Sequence, residues 1–242
     1  MIGTAGVECF DGHCHPWTKT NCAICPIRPM KVFIGNDGSK SSIARMIKMG
    51  YGMMLTNTYR NPQRFPYYAV DNGAFGCWKS GHAWDGDSFL KLVAHFAKET
   101  LEPDFIVTPD KVAEGMDSLA FSMEWIDRLR EVWPNGRYFL AVQDGMLSQD
   151  IAESEYDCFD GLFVGGTLKW KYATAAHWIE IAHTLRKPCH IGRVGTWEKI
   201  VWAHRIGADS IDSMSWGKNN SYHHLSDAKM QLTLKDGEKD EK

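Results

Sequence analysis

Eight short apolar, β-rich runs follow one another from Lys31 onward: KVFIGND, YGMML, YYAVDNGAFG, DFIVTPD, RYFLAVQDG, GLFVGG, CHIGRVG and DSIDSMSW. Between most of them lie segments with apolar residues at i, i+3, i+4 spacing, namely SSIARMIKMG, SFLKLVAHFAKET, SLAFSMEWIDRLREVW, YATAAHWIEIAHTLRK and TWEKIVWAHRIGA. Strands that alternate with helical periods build parallel βαβ units. Eight such units in about 200 residues fit an α/β chain folded as a compact TIM-like (β/α)8 barrel, with an open doubly wound sheet as the runner-up. One connection departs from the pattern, because only TNTYRNPQRFP separates the second and third runs. Its two prolines leave no room for a crossover helix and predict an extended loop.

With 44% hydrophobic and 24% charged residues, the 242-residue chain has enough apolar surface for one full core and does not read as disordered. Its net charge of −3 removes any bulk electrostatic case for nucleic-acid binding, although a local basic patch would suffice. Three segments follow: a Cys-rich extension over 1–30, a barrel over 31–232, and a charged tail over 233–242 that ends KDGEKDEK and is expected to be disordered. No uncharged apolar run approaches the roughly 18 residues a bilayer span needs, and the start MIGTAGVECFDGH does not resemble a signal peptide, so a cytoplasmic protein is expected.

Four of the seven cysteines, Cys9, Cys14, Cys22 and Cys25, crowd into 17 residues beside His13 and His15. In a reducing compartment this set predicts one structural zinc that holds the extension against the barrel. An iron–sulfur cluster takes the same ligands and stays open as the alternative. Cys77, Cys158 and Cys189 read as buried fillers near strands.

Most of the runs finish with a residue that a buried strand does not need: Asp71, Asp110, Gln143, Gly165-Gly166, Arg193 and Asp212. In a barrel these share one rim. Turn formation explains any one of them, but three carboxylates, a Gln and a Gly-Gly pair at the same end point to a site. Two carboxylates facing one substrate divide the labour of double-displacement glycosyl transfer.

Asp71-Asn72-Gly73-Ala74-Phe75-Gly76 resembles the Asp-Ser-Gly-Gly-Phe/Tyr-Gln strand end of tRNA-guanine transglycosylases, and Val142-Gln143-Asp144-Gly145 resembles their Val-Gln-Gly turn. Leu162-Phe163-Val164-Gly165-Gly166 is similar to their Gly-Gly motif, Gly207 to Ser213 to their Gly-(Val/Ala)-Asp-x-Phe-Asp-(Cys/Ser) segment, and Asp110 stands where the family keeps a base-reading Asp. The pieces occur in family order over residues 31–216. The family's C-terminal Cys-x-Cys-x-x-Cys zinc module is absent, since no cysteine follows Asp212. Ala74 and Gly76 replace a Gly and a Gln of the first motif, and Thr-Leu-Lys-Trp-Lys follows the Gly-Gly, so base specificity is expected to differ. In this shortened form the chain most resembles the phage DNA-guanine transglycosylases.

That resemblance implies a pentosyltransferase that replaces guanine in DNA with a 7-deazaguanine and needs no organic cofactor. A phage-encoded member would act in the host cytoplasm. Asp212 would be the nucleophile at C1′ and Asp71 the proton shuttle, their carboxyl groups roughly 5 Å apart. Asp110 and Gln143 would bond the base edge together with the backbone at Gly165-Gly166-Thr167, and Phe75, or else Tyr59, would stack on it. Lys169-Trp170-Lys171, Arg193 and Lys218 with Asn219-Asn220 would hold the flipped strand's phosphates. Three other readings compete. The same exchange would be directed at tRNA. A metal-dependent barrel hydrolase would use Asp71, Asp110, Asp212 and Tyr222-His223-His224 as ligands. In a catalytically dead nucleic-acid-binding barrel Asp212 would be dispensable.

Overall fold

The computed structural model describes residues 30–35, 40–56, 62–228 and 230. The cysteines Cys9, Cys14, Cys22 and Cys25, the stacking alternative Tyr59 and the tail 233–242 lie outside the described residues.

In chain order the elements are β1 (Lys31–Gly35), α1 (Lys40–Met49), β2 (Gly52–Thr56), a 3-10 turn at Pro62–Arg64, β3 (Tyr68–Asp71), α2 (Ala74–Ser80), α3 (Gly86–Phe96), β4 (Ile106–Val107), α4 (Met116–Val132) and β5 (Tyr138–Val142). A second 3-10 turn at Ser148–Asp150 leads to α5 (Glu153–Asp157), β6 (Gly161–Val164), α6 (Leu168–Thr184), β7 (Cys189–Ile191), α7 (Trp197–Arg205), β8 (Ser210–Ser213) and α8 (Ser215–Lys218). The eight strands pair in parallel, each with its sequence neighbour, and β8 closes on β1 to form a TIM-like barrel.

Strand alternation divides the apolar residues into two layers. Val32, Ile34, Tyr68, Val70, Tyr138, Leu140, Val142, Leu162, Val164, Ile191 and Ile211 pack outward with the helices. Phe33, Met54, Ala69, Phe105, Val107, Phe139 and Ala141, joined by Tyr67 and Phe163, fill the interior. Phe105 and Phe139 stack with centroids 4.3 Å apart and planes 11° apart, and Phe33 meets Phe105 edge-on at 5.4 Å. This aromatic plug forms the floor of the barrel mouth, and the same alternation turns Asp71, Gln143, His190 and Asp212 inward above it.

Two local readings need correction, and one short helix carries no sequence signal. YYAVDNGAFG reads as one β-rich run, but the chain leaves β3 at Asp71, Gly73 takes φ 77°, and Ala74 opens α2. A left-handed residue breaks the strand, and glycine adopts that conformation without steric penalty. Helix α5 is only five residues long, too short to show a period in the sequence. Of the three cysteines expected as buried fillers, Cys189 is buried, whereas Cys77 and Cys158 are half-buried. The expected absence of a crossover helix after β2 holds for the described residues, where that connection contains only the 3-10 turn. Among the described residues no helix is long and apolar enough to cross a membrane.

If the plug sustains the barrel, Phe139→Ala should cost about 3–5 kcal/mol through the cavity it leaves. Trp78→Ala, at a side chain 56% exposed on α2, should change stability by less than about 0.5 kcal/mol. Urea titration of both variants checks the contrast; similar losses would deny the plug this role.

Candidate active site

Asp212 ends the inward row of β8, and its side chain is held from β7. Its Oδ1 accepts from His190 Nε2 at 3.0 Å and from the Arg193 backbone N–H at 3.3 Å. His190 is fully buried, lies stacked on Phe163 at 4.9 Å, and places Nδ1 2.8 Å from Ser210 Oγ. Burial pushes the His190 pKa down against the opposing pull of Asp212, so the ring is neutral near pH 7. A neutral imidazole has one donor and one acceptor, which assigns the proton to Nε2 facing Asp212 and leaves Nδ1 to accept from Ser210. Oδ2 of Asp212 accepts no hydrogen bond among the described residues.

Asp71 stands at the end of β3, with Oδ1 accepting from the Gly73 N–H at 3.2 Å and Oδ2 from Thr56 Oγ1 at 3.3 Å. Its pKa is raised to about 6, chiefly by burial and also by the charges of Asp212 and Asp110, against the pull of the two hydrogen bonds. A carboxyl group that titrates close to neutrality suits proton transfer in both directions.

Asp110 follows β4. Its Oδ1 accepts from Asn72 Nδ2 at 2.6 Å and its Oδ2 from Gln143 Nε2 at 2.8 Å, and burial raises its pKa against both bonds. Gln143 is buried, also donates to Ser118 Oγ at 2.7 Å, and accepts from the Ala113 N–H at 2.7 Å. Its amide therefore buttresses Asp110 instead of presenting the open polar edge expected of a base reader.

The Gly-Gly turn closes the next side of the mouth. The Gly165 N–H donates to the Val142 carbonyl at 2.9 Å, and Asp144 accepts from the Thr167 N–H and hydroxyl, both at 2.6 Å. Gly166 adopts φ 70°, and a β-carbon there would run into the Asp144 carboxylate and the Trp170 ring. Arg193, a non-glycine residue at φ 60°, holds a backbone strained by about 1–3 kcal/mol. Its guanidinium lies 4.2 Å from the Phe75 ring centroid and donates to the Gly166 carbonyl, so one face of the expected stacking ring is already covered.

The basic residues separate. Lys169 and Lys218 are exposed, whereas Lys171 is 2% exposed and donates to the Gly192 carbonyl, which removes it from any phosphate-binding surface. The carboxylates Asp71, Asp110 and Asp212 do not draw together as tightly as a metal-ligand set. Among the described residues the one such group is His223, His224 and Asp227, on the helical segment after α8.

His190 is the functional residue that sequence reasoning missed. It alternates with the outward Cys189 and Ile191, and its inward position opposite the last strand was the available signal. No protein-family model matches this chain, and no curated protein sequence matches it. Function has to be read from the chemistry of the mouth itself.

Asp212→Asn removes a negative charge that raises the Asp71 pKa, so it should bring the Asp71 titration below about 6. Carbon-detected NMR of the carboxyl groups against pH checks this, and an unmoved Asp71 midpoint would mean that the two groups do not share a field.

Proposed function

We propose that the chain is a base-exchanging guanine transglycosylase that acts on DNA. The observation that carries this reading is the pair of inward carboxylates at one mouth, Asp71 raised to about 6 and Asp212 fixed through Oδ1 by His190 and Arg193 with Oδ2 left over. One group is suited to exchanging protons and the other to attack.

In the first step Asp212 Oδ2 bonds to C1′ of a flipped deoxyguanosine. The C1′–N9 electron pair leaves with guanine, and protonated Asp71 supplies the proton that guanine takes up. In the second step Asp71 removes the N9 proton of the incoming 7-deazaguanine, N9 bonds to C1′, and the ester electrons return to Asp212. Two inversions give net retention, and Asp71 ends as it began. Asp110, steadied by Asn72 and Gln143, is placed to accept from the base. Lys169 at the start of α6, Lys218 at the end of α8 and Trp78 on α2 are exposed, a mixture suited to phosphates and unstacked bases.

Labelled guanine or a 7-deazaguanine, incubated with the protein and either DNA or tRNA, tests the reading. Label should enter DNA, and Asp212→Asn should lower the rate by about 10⁴-fold or more while base binding is kept. Label entering tRNA alone would move the substrate, and exchange by Asp212→Asn at the parent rate would remove the proposed nucleophile.

A further inference from the structure

Helix α6 buries Lys171, Ala175, Trp178, Ile179 and Ala182 along one stripe. Lys171 thus occupies a place where a packing helix ordinarily carries an apolar residue, and an ammonium group there is expensive to desolvate. It carries no phosphate, because it is closed from solvent, and the exchange steps above do not use it.

Its bond shows what it does. Lys171 Nζ donates to the carbonyl of Gly192, and the N–H of the same peptide unit, that of Arg193, donates to Asp212 Oδ1 at 3.3 Å. A cation at the oxygen end of an amide polarises it and strengthens the N–H at the other end as a donor. The peptide needs such a hold, because Arg193 sits at φ 60° without being glycine. We propose that Lys171 is a positioning residue for Asp212: it grips the Gly192–Arg193 peptide so that the Arg193 N–H and His190 both engage Oδ1, and Oδ2 stays free to attack. The attack itself rests on the transglycosylase reading; the grip on the peptide does not.

Charged groups on the neighbouring elements act on Lys171. Arg193 and Lys199 repel its charge, Asp212 and Asp144 attract it, and its charge in turn opposes protonation of His190. Burial, the largest influence, brings its pKa down to about 7. The ammonium is therefore present below that pH and lost as pH rises through it.

The test uses the full chain and K171M. The Arg193 amide proton, followed by ¹H–¹⁵N NMR, should titrate in the parent protein with a midpoint of about 7 and in K171M should move upfield and lose that titration. K171M should melt at or above the parent temperature, since an apolar side chain suits the stripe. Its kcat for base exchange should fall roughly tenfold or more with KM for the base unchanged, the scale of loss when a group behind a reacting ligand is removed. An Arg193 amide that does not titrate in the parent, or that is unchanged in K171M, overturns the proposal, as does a parent-like kcat. If the parent exchanges no base on DNA or tRNA, the transglycosylase reading fails, and the Arg193 amide still decides whether Lys171 aims Asp212.

Discussion

Phe33 and Asp212 are register partners where β1 closes the barrel against β8. A slip of one residue there would turn Asp212 outward toward the helices and bring Ile211 to the mouth. The same closure makes Phe33 part of the aromatic floor, edge-on to both Phe105 and His190. Both the packing and the proposed chemistry depend on this one alignment, because the floor excludes water from beneath the carboxylates and the register decides which carboxylate stands above it.

Once water is thinned, the two aspartates differ by their neighbours. Asp71 has two long hydrogen bonds and the charges of Asp212 and Asp110 against it. Asp212 has a neutral imidazole, a backbone N–H and a buried ammonium one peptide away. In the proposed exchange, identical side chains thereby receive different tasks from their surroundings. The arrangement sacrifices stability, since a buried lysine and a left-handed arginine are both unfavourable on their own. Such exceptions concentrate where function needs them.

The barrel was legible in the sequence because strand and helix periods are local properties, and each of the eight apolar runs became a strand. The inward position of Asp71 and Asp212 was legible for the same reason, as each ends a run whose alternate residues are apolar. The roles of Gln143, His190 and Lys171 were not. Gln143 meets Asp110 across 33 positions, His190 meets Asp212 across 22, and Lys171 meets Gly192 across 21. Only barrel closure and helix docking create those pairs, so a lysine in a Lys-Trp-Lys stretch looked like a surface charge. Helix α2 was hidden because only Asn72 and the left-handed Gly73 separate its first turn from the strand.

The proposed exchange turns on a covalent bond between Asp212 and the sugar. The protein incubated with a guanine-containing DNA oligonucleotide, quenched in mild denaturant and digested, offers that bond to peptide mass spectrometry. A deoxyribosyl-linked adduct is expected on the peptide containing Asp212, released when a 7-deazaguanine is added before quenching. An adduct on Asp71 or Asp209, or base exchange that proceeds with no adduct on any carboxylate, would contradict it.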